Sequence, residues 1–125
     1  MPSYNIDVET GGKEPEQLRV YIAGPYTHGD WGTNQKNVIV AAQVVKDHGH
    51  IPFIPHTMTG LWSIMYDNDW LEFDLAWLEV CDAMVKLEGK STGADLEEEF
   101  ADLNDIEVYK GVQEFVENVD PVKTD

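Results

Sequence analysis

The sequence predicts an α/β domain: a doubly wound parallel sheet in a Rossmann- or flavodoxin-like three-layer sandwich. Three observations lead there. Short β-rich apolar runs alternate with segments whose apolar residues recur at helical spacing. The connections are short and punctuated by Gly and Pro, and such alternation gives parallel strands joined by crossover helices. The chain has 125 residues, enough for one real core and too few for two.

Residues 1–17 are polar, with a Gly-Gly pair and a Pro, and read as a flexible tail. Leu18 to Ala23 is a first strand, stopped by Gly24-Pro25. A loop at 25–33 follows. Asn34 to Asp47 then reads as an amphipathic helix through Val38, Ala41, Ala42, Val44 and Val45, ended by Gly49. Ile51 to Pro55 is a short strand, and His56 to Ser63 a loop. Asp67 or Asn68 is expected to cap a helix running through Trp70, Phe73, Leu75, Trp77, Leu78 and Val80. Ala83 to Leu87 is a third strand, and Gly89 to Gly93 a turn into an acidic helix. Ile106 to Tyr109 is a fourth strand and Gly111 to Asn118 a last helix, so the single domain spans 18–118 and a polar tail spans 119–125. Right-handed crossovers predict the strand order 2-1-3-4. Ligands in such sheets bind beyond the carboxyl ends of the strands, where the loops after Ala23, Pro55 and Leu87 should share a crevice.

Composition narrows the function. Hydrophobic residues make up 42% of the chain, as in globular domains. Against 24 Asp and Glu stand only 8 Lys and Arg, a formal net charge of -16. Such a surface repels nucleic acid and anionic membranes. It suits a protein held soluble in concentrated salt, and a halophilic source is expected. The single cysteine, Cys81, precludes an internal disulfide and is read as inert core. With no signal-peptide pattern and no membrane-length apolar run, a cytoplasmic protein is expected.

The segment LEGKSTGADLEEEFA at 87–101 is the first candidate site. A strand, a Gly/Ser turn and a helix N-terminus in succession can cradle an anion with free backbone N–H groups. Glu97 shares one helix stripe with Ala94 and Ala101, small neighbours that leave room for a ligand. The competing reading makes Glu97, Glu98 and Glu99 one solvated acidic face. Asp74 lies on an aromatic stripe with Trp70 and Trp77, where partial desolvation would suit it to proton transfer. It could equally hold a loop or a backbone N–H. Tyr21 in the first strand either packs or presents a phenol near the strand exit. Of the histidines, His48 and His50 flank a helix-ending glycine and are expected to face solvent. His56, at a strand end, is admitted to the site. No His/Cys spacing fits a metal, no cofactor is called for, and the chain is read as free of a Walker loop, a GxGxxG and a GxSxG, which sets aside the usual kinase, dinucleotide and hydrolase readings.

Four stretches in order, VYIAGPYT at 20–27, GHIPFIPH at 49–56, WLEFDLAWLEVCDA at 70–83 and STGADLEEEFA at 91–101, resemble the nucleoside 2-deoxyribosyltransferase superfamily. The likeness is to its small phage and prokaryotic branch and runs from about Val20 to Val108. It implies that Glu97 attacks the anomeric carbon of a 2-deoxyribosyl group, that Asp74 helps protonate the departing base, and that Tyr21 orients the nucleophile. Gly24, Pro25, Tyr26, His56, Trp70, Ser91, Gly93 and Ala94 would contact substrate. Transferases carry an aspartate six residues before the nucleophile. Ser91 stands there instead, as in the related deoxynucleoside 5′-monophosphate N-glycosidases, where a serine holds the phosphate. The resemblance thus implies cleavage or transfer on a nucleoside or its 5′-monophosphate by a homodimer or larger homo-oligomer. A nucleotide-binding sensor of the same fold, without turnover, is the alternative.

Overall fold

The computed structural model describes residues 8–9, 11–25, 29–57 and 70–123. Four strands form one all-parallel sheet in the order β2-β1-β3-β4: β1 Arg19–Ala23, β2 Ile51–Phe53, β3 Ala83–Lys86 and β4 Glu107–Lys110. This is the α/β three-layer arrangement expected, with the expected strand order. The helices are α1 Trp31–Asp47, α2 Leu71–Glu79, α3 Thr92–Leu103 and α4 Val112–Asn118. No helix among the described residues is long and apolar enough to cross a membrane.

Alternation along the strands divides the core in two. Val20, Ile22, Ala83 and Val85 face one way and pack with Val38, Ala41, Ala42 and Val45 of α1 and Phe115 of α4. Tyr21, Ala23 and Met84 face the other way, against Leu78 of α2 and Ala94 and Ala101 of α3. Ala94 and Ala101 are small enough to let α3 lie close to the sheet. Between them, on the same stripe, is Glu97.

Several boundaries differ from expectation, each for a local reason. Helix α1 begins at Trp31, three residues before Asn34, because Asp30 caps it by accepting the Thr33 N–H at 2.7 Å. Strand β2 stops at Phe53, and residues 55–57 are helical rather than strand or loop. Pro55 there occupies a first helical position, which needs no N–H. Pro52 is tolerated within β2 because that strand is an edge. Helix α2 opens at Leu71 behind Trp70, without a side-chain cap; Asp67 and Asn68 lie outside the described residues. The turn expected through Gly93 closes earlier, since Ser91 caps α3 and Thr92 is already helical.

The clearest correction concerns His48 and His50, which do not face solvent. His50 is buried and His48 half-buried, and both ring edges meet Phe115. Their partners are backbone groups of residues 119–120, so part of the polar C-terminal segment is docked. Helical periodicity cannot foresee a contact some 70 residues away in sequence.

Candidate active site

The exits of β1 and β3 are drawn tightly together. Gly24 sits where an added Cβ would press on Leu87 at 3.2 Å. Gly89, at φ +124, sits where one would run into the Pro25 ring at 2.3 Å. His56 adds the exit of β2, its Nε2–H donating to the Pro25 carbonyl at 3.0 Å. Burial pulls the His56 pKa below its ordinary value, ahead of the opposing pull of the Pro25 and Gly24 carbonyls. The imidazole is therefore a neutral brace between loops.

Beneath these loops lies a cleft of about 150 Å³. Gly24 lines it from β1, Pro55 and His56 from the β2 exit, and Trp70, Leu71 and Asp74 from the start of α2. Helix α3 contributes Ser91, Gly93, Ala94 and Glu97. An added Cβ at Gly93 would meet nothing nearer than Ser91 Oγ at 4.0 Å, so the missing side chain leaves the cleft open.

Glu97 is only 7% exposed, and the fully buried Tyr21 donates its phenolic hydrogen to Glu97 Oε2. Burial pushes the Glu97 carboxyl up to about 7; the Tyr21 bond opposes this, and the Asp74 charge adds to it. Tyr21 is held far above the ordinary phenol range, first by burial and then by Glu97 and Asp74. It therefore stays a donor. Asp74 is pushed up to about 6 by burial, and its buried Oδ1 has no hydrogen-bond partner among the described residues. Two acids that titrate near neutrality thus face one small cavity, an arrangement typical of proton-transfer sites.

The three acids in a row part company as the stripe argument requires. Glu98 bridges Lys86 at 2.9 Å and Lys110, and Glu99 is exposed. Of the expected contacts, Pro25 braces the cleft without lining it, and Tyr26 lies outside the described residues. Pro55 and Leu71 line the cleft unforeseen. The lysine pair was also missed, although Lys86 and Lys110 stand two residues after Met84 and Val108, on the α3 face.

Gly89-Lys90-Ser91-Thr92-Gly93 does have the G-x-S-x-G spacing of a nucleophile elbow, so the reading that the chain is free of that motif is corrected. The geometry does not support a serine nucleophile. Ser91 is extended (φ -156, ψ 111) rather than strained, and its Oγ accepts the Ala94 N–H at 3.1 Å. That bond also uses one of the N–H groups expected for the cradle. Thr92 and Gly93 keep N–H groups with no intrahelical acceptor, and the Ser91 hydroxyl keeps its proton to donate.

Volume alone would point elsewhere. A groove of about 750 Å³ lies at the opposite end of β1, lined by Glu14, Glu16, Leu18, His50 and residues 118–123. Its described lining holds no pair of buried acids, so the chemistry favours the smaller cleft. Among the described residues no group of three or more His, Cys, Asp or Glu side chains is placed to hold a metal ion.

Residues 18–110 match the model of a domain of unknown function, DUF7768. The chain belongs to that family. No curated protein matches it. The matched stretch of this DUF7768 protein contains every described residue of the cleft, whereas α4 and residues 119–123 lie beyond it.

Proposed function

We propose that this DUF7768 protein cleaves or transfers the N-glycosidic bond of a deoxynucleoside or its 5′-monophosphate through a covalent glycosyl–Glu97 intermediate. The observation that carries the reading is the buried Tyr21–Glu97 pair facing the same cleft as Asp74. The Glu97 carboxylate attacks C1′, the C1′–N bond breaks, and the departing base takes the proton of Asp74. Water, or a second base, then attacks C1′ and expels Glu97, returning a proton to Asp74. This is the double displacement of retaining glycosidases.

The two carboxyls compete for protons, Asp74 at about 6 and Glu97 at about 7. Substrate covering the half-buried Asp74 desolvates it further and moves the shared proton onto it. Glu97, held by Tyr21, is left ionised. Among the described residues no Lys or Arg lines the cleft, so a 5′-phosphate would rest on the Ser91 hydroxyl and the Thr92 and Gly93 N–H groups. The reading also takes in a small-molecule substrate, a cytoplasmic setting and a homo-oligomeric assembly. A nucleotide sensor without turnover has no observation of its own in its favour, since binding alone needs no pair of acids titrating near neutrality.

The test is incubation with nucleosides and 5′-monophosphates in molar salt, with detection of free base. Base should be released, and monophosphates should bind more tightly than nucleosides. Ser91→Asp is an informative variant because aspartate caps a helix as well as serine does. The fold should survive while the new charge reverses the preference. Ligand binding without base release would leave the sensor, and equal affinity for both ligand classes would remove the phosphate site.

A further inference from the structure

We propose that the outer face of α1 is a contact between two copies of this chain, paired back to back about a two-fold axis with a cleft on each far side. Helix α1 packs on the sheet face opposite Leu78, Ala94 and Ala101 of the helices that line the cleft. The pairing therefore goes beyond the reaction proposed above and does not rest on it.

The outward stripe of α1 lies opposite the buried Val38, Ala41, Ala42 and Val45. It runs through Gly32, Lys36, Ile39, Val40, Gln43 and Asp47, and every one of these residues is exposed. Ile39 and Val40 stand at its middle, 51% and 53% exposed. Two β-branched apolar side chains there gain nothing from water and are weak helix formers, so the position suits packing better than solvent.

Charge sets this face apart. Helix α2 carries three carboxylates in nine residues and α3 five in twelve, and neither has a lysine or arginine. Helix α1 has one carboxylate, Asp47, in seventeen residues, beside Lys36 and Lys46, in a chain of net charge -16. A surface kept in solution by its carboxylates is broken here, and depletion of charge is what the middle of an interface requires. Helix α2 also exposes Phe73, Trp77 and Val80, but Glu72 and Glu79 are exposed beside them. A second copy there would bury carboxylate against carboxylate, at a desolvation cost that salt does not remove.

The α1 stripe is complementary to itself. An antiparallel copy, turned about an axis between Ile39 and Val40, sets each of these two beside its own counterpart. By equal spacing from the axis, Lys36 comes level with the partner's Gln43, and Gly32 with the partner's Asp47. Asp47 accepts from Gln43 Nε2 of its own helix at 2.8 Å, which keeps both on the stripe. The partner's Asp47 then stands one turn, about 6 Å along the axis, from Lys36, within reach of a lysine stem. Opposite charges meet at both ends and the apolar pair meets in the middle. One helix about 25 Å long is a small contact beside the roughly 800 Å² per partner of standard interfaces, so the dimer is a reversible one.

Sedimentation equilibrium of the full chain in molar salt, from micromolar to millimolar protein, tests the pairing without reference to any activity. The wild type should show a monomer–dimer equilibrium. Ile39→Glu sets a carboxylate against its own copy at the axis and should raise the dissociation constant at least about tenfold. Val80→Glu, a like change on α2, should leave it unaltered. Val40→Cys should form a disulfide-linked dimer on mild oxidation, with the wild type, whose Cys81 is buried, as background. A wild type that stays monomeric throughout, a dimer that Ile39→Glu leaves intact, or one that Val80→Glu dissociates would each overturn the pairing. Circular dichroism checks the fold of each variant. Should Ile39→Glu fail to fold, Val40→Cys decides, and linkage no greater than background overturns the proposal.

Discussion

A carboxylate leaves water only where something replaces it, and Glu97 is supplied with the Tyr21 hydroxyl. Burial holds the Glu97 carboxyl up to about 7 and that of Asp74 up to about 6, both above the ordinary carboxylate range. Groups raised in this way stabilise the fold fully below their unfolded pKa values and lose that contribution as pH rises through the folded ones. Stability should therefore decline between about pH 4 and 7. Glu97→Gln removes the charge but keeps the shape. Base release should fall by several orders of magnitude while, at pH 8, the variant gains on the order of 3 kcal/mol in stability. Glu99→Gln should change neither. Thermal unfolding at pH 4.5 and 8, beside turnover, checks both halves, and a variant that is inactive but less stable at pH 8 would contradict the burial argument. Tyr21→Phe removes the bond that pulls the Glu97 pKa down. The rising limb of the pH–rate profile should then move to higher pH, and an unmoved limb would show that Tyr21 does not hold the ionised form.

Helix α3 is held by its cap, its two alanines and a pair of lysines. Ser91 caps it, Ala94 and Ala101 bring it close to the sheet, and Glu98 ties it to the ends of β3 and β4 through Lys86 and Lys110. These ion pairs are unequal. The Lys86 and Glu98 side chains are 15% and 22% exposed, whereas Lys110 is 57% exposed. Lys110→Ala should cost less than about 1 kcal/mol, as exposed pairs do. Glu98→Ala leaves the shielded Lys86, among the described residues, with only the exposed Asp95 as an ionic partner and should cost about 1–2 kcal/mol. Denaturant unfolding of the two variants gives the ranking, and a larger loss for Lys110→Ala would invert it. Because Glu98 points away from the cleft, its loss should lower stability well before it lowers turnover.

At the scale of the molecule the net charge of -16 dominates. The cations are few, and Lys86 and Lys110 are already engaged by Glu98 and Asp95. Self-repulsion among the remaining carboxylates should weaken the fold at low ionic strength, and salt should relieve it as the Debye length falls to about 3 Å at 1 M. Tm should rise from low to molar salt; a flat or falling Tm would count against salt adaptation.

The sequence by itself determined the parallel sheet and its order, because strand and helix periodicities are local and short crossovers have one hand. It also singled out Glu97 from its two neighbours, since the Ala94–Ala101 stripe is a property of one helix. The tertiary structure decided the rest. Whether Glu97 is a solvated acid or a buried one depends on Tyr21, 76 residues away in sequence. Whether Ser91 cradles, caps or attacks depends on one backbone conformation. The burial of His48 and His50 depends on where the last residues of the chain come to rest. Periodicity shows which face of an element is turned inward, but the partner that meets it, and with it every shifted pKa in the cleft, is set by contacts between segments distant in the chain.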